Sequence, residues 1–160
     1  MAEFAVVALV FFTMIVGVIE FGRLLYTHNA LTDATRRGAR YAVLHSSAST
    51  ACVEKVVVYG EANLNSSCEP IAGAQPLISG LTEGNVKVTF VGADLDNDPT
   101  TPPTAFGMNL GTATVEIGVS PKTPYQFTLS IPAFRQTFNM PVYSATLTSE
   151  SAGTKPDDLP

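Results

Sequence analysis

With 160 residues the chain has room for one domain of ordinary size. Its net charge of −5 is unevenly spread: residues 1–45 carry four arginines against Glu3, Glu20 and Asp33, whereas residues 46–160 carry five basic and eleven acidic side chains. So acidic a C-terminal portion argues against nucleic acid as a partner, because phosphate backbones are bound by clustered Lys and Arg. Two cysteines, Cys52 and Cys68, cannot build a four-ligand zinc site unaided, and neither His28 nor His45 stands at ligand spacing with them.

The first element is an apolar run. Residues 4–19 read FAVVALVFFTMIVGVI without a charge, and Phe21, Gly22, Leu24, Leu25 and Tyr26 prolong it past Glu20 and Arg23. Sixteen helical residues rise about 24 Å, and the extension supplies what a hydrocarbon core of roughly 30 Å requires. Glu3 precedes the run and Glu-Phe-Gly-Arg follows it, flanks unlike those of a cleaved secretory signal, so the segment is expected to be retained in the mature chain. A helix buried in a soluble protein is the plainer reading, but a short head offers few partners for so uniform a surface.

No proline interrupts residues 1–69. Helical periodicity continues past the run, with Leu31, Ala34, Gly38, Tyr41, Ala42 and His45 on one face and Asp33, Arg36, Arg37 and Arg40 largely on the other. One helix of about 42 residues, roughly 63 Å long, is expected. Gly17 and Gly22 inside it serve close packing or bending. Glu20 either pairs with Arg23 or with a basic group of a neighbouring copy, or marks the water interface. Glu3 complements the helix dipole and is also placed to meet another chain's positive terminus.

Orientation is contested within the sequence. Arginines 23, 36, 37 and 40 follow the run, where a positive-inside count places the head in the cytoplasm. A Cys52–Cys68 disulfide would belong to an oxidising compartment and would contribute roughly 3 kcal/mol by closing its loop. The alternative for the pair is two unrelated buried thiols.

Beyond the Ser-rich stretch 46–50, a second short helix is expected over about 50–64, although Val56-Val57-Val58 leans toward strand. Residues 65–85 read as a loop pinned by Cys68. Alternating patterns at Val86–Phe90, Ala113–Val119 and Tyr143–Leu147 then predict three antiparallel strands, with a fourth possible over Gln126–Ile131. One face of that sheet needs cover, and the C-terminal half of the long helix is the candidate. The expected class is therefore α+β: a long N-terminal apolar helix packed on a small antiparallel sheet with a second short helix. Residues 1–26 form the membrane or filament-core helix, 27–149 the head, and 150–160 a flexible tail.

Chemistry-bearing motifs are sparse. Asp94, Asp96 and Asp98 resemble the opening of a calcium loop, but Pro99 stands where glycine is needed and Ala105 where a bidentate glutamate is needed, so a solvated acidic loop is the default. Both histidines lie on the long helix, and no nucleophile elbow or phosphate loop occurs. No enzyme activity and no cofactor are expected.

Glu3-Phe4-Ala5, the apolar run, Ile19-Glu20-Phe21-Gly22-Arg23-Leu24-Leu25-Tyr26, Asn29-Ala30-Leu31-Thr32 and Ala34–Ala42 (ATRRGARYA) together resemble the TadE-like family. These are pilin-related proteins of the tight-adherence (Tad, or Flp) branch of type IV pili. The resemblance implies a prepilin cut by a dedicated peptidase ahead of Glu3-Phe4, held in the inner membrane and then assembled by pilus machinery into an extracellular adhesive filament. Glu3 would contact the terminal amine of an adjacent subunit, and Phe4–Tyr26, with Glu20, Phe21, Gly22 and Arg23 at its end, would polymerise with copies or other pilins. The alternative is a membrane-tethered monomeric adhesin or sensor whose head binds a ligand through the loop 92–111.

Overall fold

The computed structural model describes residues 2–45, 49–91, 112–131 and 134–148. The loop 92–111, with Asp94, Asp96 and Asp98, and the tail 150–160 lie outside them.

A single helix, α1 (Ala2–Leu44), occupies 43 residues, which is about 65 Å of rise. Its threonine hydroxyls are satisfied within the helix. Thr13, Thr27 and Thr32 donate to the carbonyls of Leu9, Arg23 and His28 at 2.7, 2.9 and 3.0 Å, so no threonine on it needs water. A second helix, α2 (Thr50–Tyr59), starts at Ser49, whose Oγ accepts from the Cys52 amide at 3.2 Å, and stops at Gly60, whose φ of +80° leaves the helical region. It is shorter than the expected 50–64 for that reason, and residues 61–63 form a separate 3₁₀ turn. The three consecutive valines are helical because all three are buried: each has a neighbour to fill, and packing overrides their strand preference. Cys52 and Cys68 form a disulfide, with Cα atoms 5.4 Å apart. Beside it, Lys55 bonds Glu69, the residue after Cys68, at 2.6 Å.

Five strands follow. Strands β1 (Val86–Val91), β2 (Thr112–Ile117) and β5 (Tyr143–Thr148) make an antiparallel sheet in the order β1-β2-β5. The pleat sorts β2 as its alternation requires: Ala113, Val115 and Ile117 are fully buried, while Thr114 faces outward to bond Thr146 at 2.9 Å. Gly118, at φ +82°, ends this strand at Ile117, short of the expected Val119. Strand β3 (Gln126–Ile131) pairs not with that sheet but with β4 (Phe134–Asn139), a strand the sequence pattern did not reveal, as an independent antiparallel hairpin.

The core is built where α1, α2 and the three-stranded sheet meet. Leu31, Ala34, Ala39 and Ala42 of α1 pack with Val53 and Val57 of α2 and with Val86, Val115 and Ile117 of the sheet. The fold is thus the α+β arrangement expected, with the C-terminal half of α1 as the sheet's cover. At the end of the head nearest the hairpin, buried Asn85 acts as a rivet. Its Oδ1 accepts from the amide and hydroxyl of Thr82 at 2.9 and 2.8 Å, and its Nδ2 donates to the carbonyl and hydroxyl oxygens of Thr123 at 3.0 Å. Lys122 adds a tie to α2, bonding Glu54 at 2.9 Å and the Glu83 carbonyl at 3.2 Å.

Candidate assembly surface

Among the described residues, nothing covers most of the N-terminal half of α1. Fourteen large apolar side chains between Phe4 and Tyr26 are exposed, with Phe4 at 78% and Val18 at 73%. Fully burying one such side chain is favourable by about 1.5–3 kcal/mol, so the stretch as a whole represents some tens of kcal/mol of unmet burial. A mean hydropathy of 2.5 over its most apolar stretch makes α1 long and apolar enough to cross a membrane. Glu3 lies exposed in the first turn, where its charge meets the positive end of the helix dipole.

Polarity reappears as a compact collar. Glu20 is buried to 8% exposure, and its Oε2 accepts from Nη2 and Nε of Arg23 at 2.7 and 3.1 Å. The same guanidinium donates to the Thr128 carbonyl of β3 and lies 4.6 Å from the centre of the Phe127 ring. One arginine thereby neutralises the carboxylate within the helix and fastens the hairpin to it. Of the expectations for Glu20, the intrachain pair is the arrangement present. Beneath the collar a cavity of about 370 Å³ is lined by Arg23, Tyr26, Thr27, Ile78, Tyr125 and Phe127 among others.

Other residues singled out in the sequence lie apart from this collar. Phe4 stands near the far end of the rod, Phe21 is 61% exposed, and a Cβ added at Gly22 would meet nothing within 4 Å. Phe127 and Thr128, which complete the collar, went unmarked in the sequence, because their partner is about a hundred positions away and their segment carries no motif. On the head, Glu54 and Glu69 are engaged by Lys122 and Lys55. Among the described residues no group of three or more His, Cys, Asp or Glu is placed to hold a metal ion.

A folded α+β head on a bare apolar rod defines a class: helix-anchored proteins whose anchor is the surface left unfinished by the fold. Residues 1–40 match the family model described as TadE-like protein, which spans the rod, the collar on α1 and the first turns of the covered half. The match points to a Tad-pilus-related role. No curated protein and no solved structure matches the chain.

Proposed function

We propose that the chain is a structural subunit of a Tad-type surface filament, held in the inner membrane by α1 before assembly and packed helix against helix afterward. The observation that carries this reading is the continuous exposed apolar surface from Phe4 to Tyr26 on a chain whose head has closed its own core. Lipid tails satisfy that surface first, and the same face of other copies satisfies it next. Backbone and threonine groups on the rod are already bonded internally, so it can exchange one apolar surrounding for another without exposing a donor. Glu3 takes the register role, its carboxylate meeting the terminal amine of an adjacent subunit. Processing ahead of Glu3-Phe4 by a prepilin peptidase, handling by the pilus assembly machinery and attachment to surfaces belong to the same reading.

Imaging of sheared surface fibres, with labelled antibody against the head, tests it: the label should decorate a repeating lattice. Replacing residues 4–26 by an unrelated spanning helix separates this function from that of a tethered adhesin or sensor. A subunit loses its fibres under that exchange, whereas a tethered binder keeps its activity. Intact fibres after the exchange would refute the proposal.

A further inference from the structure

The β3–β4 hairpin stands outside the main sheet and is attached to α1 at one level, that of Arg23. From Glu3 to Arg23 the helix advances twenty residues, about 30 Å, the thickness of a hydrocarbon core. The two charged positions therefore bracket the span, and Glu20, the charge between them, is neutralised by Arg23 at 2.7 Å. Arg23 consequently marks the plane at which the helix leaves the bilayer, and whatever grips Arg23 lies in that plane too.

The hairpin grips it. Phe127, whose ring lies under the guanidinium, is paired in register with Phe138 of β4, which puts Phe138 one strand spacing away, about 5 Å farther from the helix. Phe138 is 44% exposed, and Tyr26, one turn below Arg23 on α1, is 71% exposed. Arg135, opposite Ser130 and three residues, about 10 Å, from Phe138 along the strand, is on the other face of β4, exposed, and has no ion-pair partner among the described residues. Aromatic rings near the level of Arg23 and an unpaired cation on the same hairpin, beside a spanning helix, are what the interfacial zone of a membrane accommodates: rings among the headgroups and upper chains, the guanidinium on phosphate.

We infer that the β3–β4 hairpin is a membrane-surface element, seated on the lipid face beside α1 through Phe138 and holding anionic headgroups through Arg135. It fixes the depth and tilt at which the head rides. This inference rests on the membrane-anchored stage of the proposed function, and its occupant is the bilayer surface.

The sequence holds no tryptophan, so single substitutions provide clean reporters. Full-length F138W, F11W and Y59W chains are reconstituted into vesicles of phosphatidylcholine with phosphatidylglycerol, including lipids brominated at shallow or deep chain positions. F138W should emit at shortened wavelength and lose most of its emission to shallow bromines, F11W should be quenched by deep bromines, and Y59W, on α2, should be quenched by neither. Adding R135E to F138W should reduce the quenching in phosphatidylglycerol vesicles and leave it unchanged in pure phosphatidylcholine. Quenched F11W with unquenched F138W overturns the hairpin's seat and leaves the anchor standing. Unquenched F11W overturns the anchored stage itself. A blue shift of F138W that is unquenched by bromines and vanishes on diluting protein in lipid assigns the surface to a second copy and also overturns the inference.

Discussion

At Gly38 the long helix packs tightly against the rest of the head, and replacing it with alanine measures how tightly that contact is drawn. A Cβ built there would stand 2.3 Å from Cγ2 of Val57 and 3.3 Å from Cγ1 of Val115, both on fully buried side chains. Ordinary contact begins near 3.4 Å, so Val57 would have to retreat by 3.4 − 2.3 = 1.1 Å. It has little freedom to do so, because α2 is tied at its start by the disulfide at Cys52 and at Glu54 by Lys122. Overpacking of this kind costs typically about 1–3 kcal/mol, while alanine in place of a helical glycine returns up to about 1 kcal/mol. The clash wins, and Gly38→Ala should lose a net 1–2 kcal/mol or so, which for a head of this size lowers Tm by roughly 5–10 °C.

Thermal unfolding of the full chain in detergent micelles, followed by near-ultraviolet circular dichroism of the head's tyrosines, reads this directly. A Gly38→Ala protein as stable as the natural one would refute the packing argument. Gly17 and Gly22 supply the contrast, since a Cβ at either would meet nothing within 4 Å. Their alanine variants should melt unchanged or slightly higher as isolated chains, yet assemble poorly if the glycines are kept for close approach of another helix. Normal fibre yield from Gly22→Ala would show that no neighbour packs tightly there.

Removing the collar's cation by Arg23→Met should loosen the hairpin by about 1–2 kcal/mol, a figure held down by the half-exposed guanidinium; amide exchange should speed up in β3 and β4 but not in α2, and unchanged exchange there would contradict the assigned clamp. Reducing the Cys52–Cys68 bond, or replacing both cysteines with serine, should cost the head roughly 3 kcal/mol and show as a lower midpoint in urea; equal midpoints would mean the loop is held by other contacts. Alkali should also unfold the head. Burial pushes the Tyr125 phenol above its ordinary value near 10, with Arg23 opposing weakly, and burial followed by the neighbouring Tyr125 raises Tyr143 as well. A raised acid is bound neutral in the fold, so its contribution is complete below pH 10 and is lost as pH climbs through the raised values. Tyr143→Phe, which deletes a buried hydroxyl without a hydrogen-bond partner among the described residues, should shift the alkaline transition upward, as read by tyrosinate absorbance against ellipticity.

The parts of the fold that could be read in advance are those whose periodicity is local. The long helix, the alternation in β1, β2 and β5, and the short helix after the Ser-rich stretch each carry their pattern within a dozen residues. Strand β4 does not: Phe-Arg-Gln-Thr-Phe-Asn has apolar residues four apart instead of two, with Gln136 between them on the same face, and residues 135–139 are all exposed. The register with β3 supplies what the residues alone withhold. Val56-Val57-Val58 was ambiguous for the opposite reason, since propensity favoured strand while three separate buried sites demanded valine on a helix. At the collar the pairing of Glu20 with Arg23 was foreseeable from a spacing of three, but the carbonyl of Thr128 was not, because side chain-to-backbone contacts across 105 positions leave no trace in composition.

The same helix meets two different demands, and its residues divide accordingly. Below the collar every inward position is small or is matched to a buried neighbour: alanines at 34, 39 and 42 let the sheet approach, and Gly38 admits Val57 to a distance no other residue permits. Above it most side chains are large, aromatic or branched, they point in all directions, and a Cβ added at either glycine would meet nothing within 4 Å. Had the upper half evolved only to hold the chain in lipid, glycine there would bring a helix penalty of up to about 1 kcal/mol at each site with no return, because lipid has no need of close approach. A second helix does have that need. Gly17 and Gly22 are thus the positions at which an anchor and a polymerising surface would differ in their requirements, and alanine at either one separates the proposed filament role from anchoring alone.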